Sequence, residues 1–519
     1  MQRSLVGSEM CIRDRDNKIY VIGIGGTGMR CVESFIHLCA MGMYDNTEVN
    51  ILALDTDITN GNFKRVKELA DKYQTINGGN ASANTYFSAK INYYEFSPKY
   101  EDRTTFASVA KYEKASQNKS KDGIFKESDI ADLFISPGVR DMSLRHGYRA
   151  QTQMGSMLMY HAIIQEANRA MQGATRSQLR DFLSGLTIGT GHKVFIFGSV
   201  FGGTGASSIP ILPHALDVAS QIMFEENSSV LRGNYFGSVV LTSYFKFTDM
   251  PKGNEIVAKS SKFALNSQAA LKFYCSDPTV QQTYKRLYLI GRQTQTDLPK
   301  EAGVDTGGEK QKNPVDFIEL LAAFAAYDFF KTCDTPEKLE PADNESRFFF
   351  MQAGDDERLD FINFTDDTDK FRERFGSFVA AAMTNARGDF FRQMANQYFK
   401  SIREKEELEV LNGYMNLFYD AAEHTGWAQQ LFDSAGGRGL LFHDEVFDKG
   451  IDIRKKKYNE RMFAGDSAAK FSTKGIFGDT LFDTIRDTFA KKTDSTKDET
   501  MSHLLERTFA TFQNLYFNK

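Results

Sequence analysis

The chain has 519 residues, of which 41% are hydrophobic and 25% are charged, and its formal net charge is -5. This balance excludes a strongly basic surface for nucleic acid or anionic membranes, and no apolar run approaches the roughly 20 residues of a membrane-spanning helix. Five cysteines without a CxxC pair and eight histidines without metal-ligand spacing argue against a disulfide framework and a metalloenzyme, so we expect a cytoplasmic protein of two or three domains.

The first fifteen residues, MQRSLVGSEMCIRDR, need a separate interpretation. They contain neither the apolar central region nor the small-residue cleavage site of a signal peptide. They resemble translated sequencing-adapter read-through. We therefore expect residues 1–15 to be non-native and to lie outside the fold.

The first predicted element is a strand, glycine turn and helix over residues 18–42, KIYVIGIGGTGMRCVESFIHLCAMG. The turn fits the GxGxxG fingerprint of a nucleotide-binding fold and brings phosphates to Gly25, Gly26, Thr27 and Gly28. A second strand, VNILALDTD, ends in Asp55 and Asp57, where a dinucleotide fold binds ribose hydroxyls. This segment opens a predicted nucleotide-binding domain over residues 16–312, and an NAD(P)-dependent oxidoreductase is one interpretation of it.

From about residue 60 to residue 139 the sequence becomes polar and loses sustained periodicity, and we interpret this stretch as an insertion. Order returns at LRHGYRAQTQMG, an arginine- and glycine-bearing loop that leads into an amphipathic helix. Arg149 in this loop is a candidate phosphate ligand, although a solvated position at the start of the helix is an equally ordinary role for it.

A second glycine turn follows a buried strand in FIFGSVFGGTGASS, residues 195–208. Glycines leave backbone N–H groups open to a ligand, and the following helix adds partial positive charge at its N-terminus. We therefore expect this loop to bind phosphate through Gly202, Gly203, Thr204, Gly205, Ala206 and Ser207. A tight turn that only packs a helix on a strand is the plainer alternative.

Two asparagines lie in or before later helices. Asn266 is placed among apolar residues, where its carboxamide needs hydrogen-bond partners. Asn313 and Pro314 resemble the N-cap and first residue of an apolar helix over residues 313–332, which we expect to be a buried core helix. Beyond it, residues 333–519 predict an α+β C-terminal domain that begins with the strand RFFFMQ.

Taken together, these motifs resemble the tubulin and FtsZ superfamily, in its divergent prokaryotic branch. The resemblance covers residues 18 to about 332, and FGGTGAS matches the family's GGGTGS-like loop with Phe201 and Ala206 as departures. It implies a Rossmann-like α/β domain with a parallel sheet and a core helix. It also implies bound GTP or GDP, guanine contacts from Asn266 and Asn313, and Asp55 and Asp57 beside the ribose or a Mg²⁺ ion that arrives with the nucleotide, without a dedicated protein metal site.

The resemblance further implies head-to-tail self-assembly into filaments, with GTP hydrolysis completed across the contact between two copies. The family's GxxNxD motif is missing after the core helix, and Asp366 in FINFTDD is the nearest candidate catalytic acid, at a different spacing. We expect no direct nucleic-acid or membrane partner, and an adaptor protein stays undefined. The alternatives are the oxidoreductase named above and a nucleotide-binding scaffold that does not polymerise.

Overall fold

The computed structural model describes residues 18–57, 59–98, 105, 136–144, 147–148, 150–173, 176–224, 227–247, 259–292, 295–298, 308–309, 311–332, 347–353, 359–402, 405–434, 446, 480–491 and 500–517. The expected non-native segment, residues 1–15, lies outside the described residues.

In the part of the chain that the structure describes, seven parallel strands form one sheet in the order β3-β2-β1-β4-β5-β7-β9, and β6 pairs with β8 in a small second sheet. The strands are β1 (Lys18–Ile24), β2 (Glu48–Leu54), β3 (Lys90–Phe96), β4 (Lys193–Phe197), β5 (Tyr235–Leu241), β6 (Phe245–Lys246), β7 (Tyr284–Arg292), β8 (Thr296–Asp297) and β9 (Arg347–Ala353). Continuous apolar runs such as those of β1 and β4 suit strands that are covered on both faces. The predicted α/β, Rossmann-like fold is confirmed.

Helices lie on both sides of this sheet. They are α1 (Gly25–Ala40), α2 (Gly61–Asn77), α3 (Pro137–Arg140), α4 (Thr152–Met171), α5 (Gln178–Thr187), α6 (Thr204–Ser208), α7 (Leu212–Met223), α8 (Phe263–Ser276), α9 (Pro278–Thr283), α10 (Phe317–Thr332), α11 (Thr368–Gly388), α12 (Phe390–Tyr398), α13 (Glu406–Phe418), α14 (Trp427–Ser434), α15 (Leu481–Lys491) and α16 (Met501–Tyr516). Short 3₁₀ helices cover Ser260–Lys262 and Phe361–Asn363.

The alternation of side chains along β1 divides the hydrophobic core into two layers. Ile19 and Val21 face a layer that contains α1, α2, α10 and the C-terminal helices. Tyr20 and Ile22 face the other layer, which contains α4, α5 and α7. Because each face buries its own helices, the carboxyl ends of the strands are left as one continuous edge between the two layers.

Helix α10 is the core helix that the sequence predicts, and it lies between the sheet and the C-terminal helices. Phe329 packs on Phe195 of β4 with ring centroids 5.5 Å apart, and Phe324 packs on Phe371 of α11 at 4.4 Å. The helix begins three residues later than predicted, at Phe317 instead of Pro314. Its N-cap is Asp316, whose Oδ1 accepts from the Ile318 N–H at 3.0 Å, and not Asn313.

The stretch expected to be an insertion is part of the nucleotide-binding sheet where the structure describes it. Strand β3 pairs with β2 in parallel, from Lys90 opposite Glu48 to Phe96 opposite Leu54. Helix α2 buries one face, which includes Phe63, Val66 and Tyr73, and exposes the other. The predicted insertion was wrong for residues 61–96 because an edge strand and a half-solvated helix dilute the apolar pattern. Residues 99–135, apart from residue 105, lie outside the described residues.

Strand β9 also differs from its expected place. The sequence RFFFMQ was predicted to begin the C-terminal domain, but residues 347–353 pair in parallel with residues 286–292 of β7 and extend the first sheet. A strand that follows a helix can return to the same sheet by a crossover, and no local sequence signal distinguishes the two destinations.

Candidate functional site

A cleft lies at the carboxyl edge of the sheet, where an α/β fold binds ligands. The loops that line it come in spatial order from β2, β1, β4 and β5, which are neighbours in the sheet. The described lining consists of Ile24, Gly25, Gly26, Thr27, Asp55, Asp57, Asn60, Gly147, Tyr148, Ala150, Ser199, Phe201, Gly202, Gly203, Thr204, Gly205, Phe245, Phe247, Phe263, Gln311 and Asn313.

The first glycine loop, after β1, contributes Gly25, Gly26 and Thr27 to the cleft. Gly25 has a φ of 66°, which a side chain rarely permits, and it starts the 16-residue helix α1. The N-terminus of α1 therefore points its free N–H groups and partial positive charge at the cleft. Gly28, also predicted to bind phosphate, does not line the cleft, and a Cβ there would lie 2.6 Å from the Phe197 carbonyl oxygen, so its missing side chain allows close packing on β4.

The second glycine loop, after β4, contributes Gly202, Gly203, Thr204 and Gly205. It meets the first loop directly, since a Cβ on Gly25 would lie 3.3 Å from Thr204 Cβ. Gly25 and Gly202 are 177 positions apart in the sequence, and the two loops that contain them share one cleft.

Ala206 and Ser207, also predicted to bind phosphate, are not among the described residues that line this cleft. Both are buried in α6, where the Ala206 carbonyl accepts from Tyr274 Oη at 3.2 Å. Ser207 Oγ donates to the Thr204 carbonyl at 3.0 Å. The first turn of α6 rotates these two side chains toward α4 and α8, so only the loop before the helix faces the cleft.

The two predicted aspartates both line the cleft but have different surroundings. Asp57 accepts from Thr59 N–H at 3.0 Å through Oδ1 and from Gly308 N–H at 2.7 Å through Oδ2. Asp55 accepts from Asp57 N–H at 3.2 Å, and its burial raises the pKa of the carboxyl to about 7. Donors therefore offset the charge of Asp57, whereas Asp55 exists partly protonated at neutral pH.

The loop LRHGYRAQTQMG, which carries the candidate phosphate ligand Arg149, contributes Gly147, Tyr148 and Ala150 to the lining. A Cβ on Gly147 would lie 3.4 Å from Thr204 Oγ1, so this loop contacts the second glycine loop. Arg149, the candidate phosphate ligand, lies outside the described residues. The described lining contains no Lys or Arg, and its donors to an anion are backbone N–H groups, hydroxyls and side-chain amides.

The two asparagines that were predicted to contact guanine, Asn266 and Asn313, lie in different places relative to the cleft. Asn313 lines the cleft and is 9% exposed, and the capping role that competed for its side chain belongs to Asp316. Asn266 does not line the cleft and is half-buried, not enclosed by apolar neighbours; its Nδ2 donates to the Phe201 carbonyl at 3.3 Å. The structure thus brings Asn313 to the site, and Asn266 acts on the loop behind it.

Four phenylalanines that were not predicted as functional form one end of the cleft, and we name Phe201, Phe245, Phe247 and Phe263 the aromatic wall. The ring centroids of Phe201 and Phe263 are 4.9 Å apart, and those of Phe247 and Phe263 are 5.6 Å apart. A flat aromatic ligand group packs well on such a surface. The alternating positions of Phe245 and Phe247 were the only local sequence sign of this aromatic surface. No local sequence pattern connects these two residues with Phe201 or Phe263.

The opposite end of the cleft is polar. Asn60 Nδ2 donates to Gln311 Oε1 at 2.7 Å, and both residues line the cleft. Neither was predicted, because 251 positions separate them along the chain. The cleft therefore has an aromatic end beside β5, two glycine loops in its middle and an amide-bearing end beside β2.

Asp366 lies far from this cleft within one chain. Its neighbour Asp367 accepts from Tyr327 Oη at 2.8 Å and from Lys331 Nζ at 3.2 Å, near the last turn of α10. Asn313 precedes the first turn of α10, so the helix separates the two sites by about 20 Å at 1.5 Å per residue. Asp366 itself is exposed.

Among the described residues, no helix has the length and apolar content to cross a bilayer. The same part of the chain contains no group of three or more His, Cys, Asp or Glu side chains arranged to hold a metal ion.

No protein-family model matches the sequence, and no curated protein is detectably similar to it. Among solved structures, the fold is similar to TubZ of Clostridium botulinum phage c-st, a protein truncated at its C-terminal tail, with a TM-score of 0.26 and 11% sequence identity. The similarity covers 63% of this chain and 65% of the TubZ chain, which is less than two thirds of that protein's length. At this TM-score and identity, TubZ is a weak structural neighbour of the chain.

Proposed function

We propose that the cleft binds GTP and that the chain is a tubulin-like GTP-binding protein. The observation that carries this proposal is the meeting of two glycine loops, from β1 and β4, over one cleft. A dinucleotide fold holds its pyrophosphate mainly on one such loop, so a second loop at the same place favours a triphosphate. The oxidoreductase alternative leaves the loop at Gly202–Gly205 without a role.

The remaining lining fits the parts of a nucleotide. The phosphates lie over the glycine loops, where the N-terminus of α1 supplies N–H groups and partial positive charge. The base lies on the aromatic wall, and Asn313 offers a donor and an acceptor to its edge. Mg²⁺ enters bound to the phosphates, with Asp55 as a nearby carboxylate, and offsets their negative charge.

We further propose that the chain assembles head to tail. The catalytic acid in this scheme is Asp366 of a neighbouring copy, because in its own chain Asp366 lies at the far end of α10. A repeated head-to-tail contact that does not close gives a filament, and it brings the far end of one copy to the cleft of the next. A carboxylate there orients the attacking water.

Equilibrium binding of labelled GTP, ATP and NAD to the purified chain tests the binding step. We expect GTP to bind most tightly, with ATP weaker and NAD weakest. A preference for NAD would overturn the proposal in favour of the oxidoreductase.

Replacing Asp366 by Ala tests the assembly step. We expect GTP turnover to fall roughly a hundredfold while the dissociation constant for GTP stays within twofold, because Asp366 does not touch the nucleotide of its own chain. Asp369→Ala, at another exposed carboxylate nearby, is the matched control. Sedimentation with and without GTP separates a filament from a scaffold that binds nucleotide and stays unassembled.

A further inference from the structure

A short segment before α10 crosses the polar end of the cleft. We name Gly308, Glu309, Gln311, Lys312 and Asn313 the strap. Gly308 N–H donates to Asp57 Oδ2 at 2.7 Å, and the Gly308 carbonyl accepts from Gly61 N–H at 3.1 Å. Glu309 forms an ion pair with Lys64 of α2. The strap is therefore attached to the loop after β2 and to the first turns of α2, and two of its residues, Gln311 and Asn313, line the cleft.

Gly61 makes this attachment possible. A Cβ at that position would lie 2.7 Å from the Glu309 carbonyl oxygen and 2.8 Å from that of Gln311. These are backbone atoms, which cannot turn aside as the end of a side chain can. The absence of a side chain at Gly61 thus sets how closely the strap approaches α2.

The strap brings one of three side-chain amides to the first glycine loop. We name Asn60, Asn62 and Gln311 the amide cluster. From the position that a Cβ on Gly26 would occupy, Asn60 Nδ2 and Asn62 Nδ2 are each 3.3 Å away, and Gln311 Nε2 is 3.8 Å away. Three amide nitrogens therefore pack beside Gly26 of the first glycine loop.

Hydrogen bonds set the direction of these amides. Asn60 Oδ1 accepts from Asn62 N–H at 2.8 Å, which turns Asn60 Nδ2 toward Gln311 Oε1 at 2.7 Å. Gln311 Oε1 is thereby occupied by a hydrogen bond, and Gln311 Nε2 lies on the side of Gly26. Asn62 is 3% exposed, and its buried Oδ1 accepts no hydrogen bond from the described residues. That oxygen is an acceptor and offers nothing to a phosphate; the groups that can donate to a phosphate are the amide nitrogens, and Asn60 Nδ2 keeps a second N–H after its bond to Gln311.

The place of the amide cluster along the cleft identifies the part of the ligand that it meets. The aromatic wall lies at the β5 end and the amide cluster at the β2 end, with the glycine loops of β1 and β4 between them. A nucleotide with its base on the aromatic wall extends its phosphates toward β2. The phosphate furthest from the base is then the one above Gly26.

We propose that Asn60 and Gln311, the two members of the amide cluster that line the cleft, bind the terminal phosphate of a nucleoside triphosphate and so distinguish it from the diphosphate. This inference rests on the proposed nucleotide function of the cleft. Amide N–H groups donate to phosphate oxygens without adding charge, and such charge-assisted bonds are stronger than those between neutral groups. Because Gln311 belongs to the strap that leads to α10, the terminal phosphate contacts the segment that precedes the core helix.

Gln311→Glu tests the proposal with little change in shape, since it replaces the amide donor by a carboxylate that repels phosphate. The measurements are the dissociation constants of labelled GTP and GDP. We expect GTP binding to weaken more than tenfold and GDP binding by less than threefold, so that the GTP preference of the wild-type chain is lost. Gln268→Glu, at an exposed glutamine of α8, is the matched control and keeps the wild-type ratio.

Asn60→Ala and Gly61→Ala give independent variants, and thermal unfolding establishes that each one folds. Both are expected to lower the ratio of GTP to GDP affinity, the first by removing a donor and the second by displacing the strap. Equal losses for GTP and GDP, or no loss for either, overturn the role of the amide cluster while leaving the nucleotide function intact. A wild-type chain that binds neither nucleotide overturns both proposals.

Discussion

The two ends of the cleft are built in opposite ways. The end beside β2 is held by hydrogen bonds between polar groups that are distant in sequence, such as Asn60 Nδ2 to Gln311 Oε1 at 2.7 Å and Gly308 N–H to Asp57 Oδ2 at 2.7 Å. The end beside β5 is held by ring packing, with Phe201 and Phe263 centroids 4.9 Å apart. One end offers donors and a titratable carboxyl, and the other offers flat apolar surface.

This difference indicates a ligand whose own two ends differ in the same way. A nucleotide has a flat aromatic base at one end and anionic phosphates at the other, and it bridges the glycine loops between them.

The glycines within each of the two loops also differ in what their missing side chains allow. Each loop has one glycine, Gly28 or Gly205, whose missing side chain leaves room for a neighbouring backbone carbonyl, and Gly205 also lines the cleft.

The largest effect is expected where a glycine packs on backbone. A Cβ on Gly28 would lie 2.6 Å from the Phe197 carbonyl oxygen, and one on Gly205 would lie 2.6 Å from that of Ser199. Overpacking of this kind costs about 2–3 kcal/mol, so Gly28→Ala and Gly205→Ala should each lower the free energy of unfolding by that amount in urea denaturation.

Gly202→Ala is the control for both variants, because its nearest neighbour is the movable Ser199 Oγ at 3.3 Å from the added Cβ. We expect a loss of under about 1 kcal/mol for it. If Gly202→Ala destabilised the chain as much as Gly28→Ala, the packing role assigned to Gly28 and Gly205 would be wrong.

The next largest effect concerns the aromatic end. Phe247 is only partly buried and lies 5.6 Å from Phe263, so Phe247→Ala removes stacking surface without emptying the core. Loss of one aromatic partner for a base costs about 1–3 kcal/mol, and we expect GTP affinity to fall about tenfold.

Two comparisons make the Phe247 result specific. Tripolyphosphate, which has no base, should bind Phe247→Ala as well as it binds the wild-type chain. Phe273→Ala removes a 48% exposed ring of α8 that does not line the cleft, and it should leave GTP affinity unchanged. A loss of tripolyphosphate binding in Phe247→Ala would mean that this ring supports the loops and not the base.

The glycine loops in the middle of the cleft and the two aspartates at its β2 end could be predicted from the sequence, whereas the aromatic wall and the Asn60–Gln311 pair could not. The glycine turns at Gly25–Gly28 and Gly202–Gly205 follow apolar strands directly, so their position at the carboxyl edge of a parallel sheet is a local property. The aromatic wall joins a residue after β4, two around β6 and the first of α8. No regular spacing along the chain predicts that these four phenylalanines lie together.

Local ambiguity explains the remaining differences. The sequence NPVD offers two N-caps for α10, and the helix begins after Asp316 because Glu319 Oε2 also accepts from the Asp316 N–H at 3.2 Å. Asn266 was expected to be enclosed, but α8 buries only Phe263, Ser267 and Tyr274. Ala206 and Ser207 followed the glycines in sequence, yet the first turn of α6 directs them away from the cleft.

The smallest expected effect is a pH dependence at the β2 end, due to Asp55. Burial raises the pKa of its carboxyl from 3.8 to about 7, so between these values the folded chain holds a proton that the unfolded chain has lost. Stability is then present at low pH and is lost as the pH rises through about 7.

In urea denaturation without nucleotide or metal, the wild-type chain should lose about 1 kcal/mol relative to Asp55→Asn between pH 6 and pH 8. Asp369→Asn, at an exposed carboxyl, should follow the wild-type curve. The amide oxygen of Asp55→Asn still accepts from Asp57 N–H, so the variant keeps the hydrogen bond of the wild-type chain. Parallel wild-type and Asp55→Asn curves would therefore mean that Asp55 is ionised in the folded chain throughout this pH range. The polar end would then carry a full negative charge that only a cation or a donor on the ligand could offset.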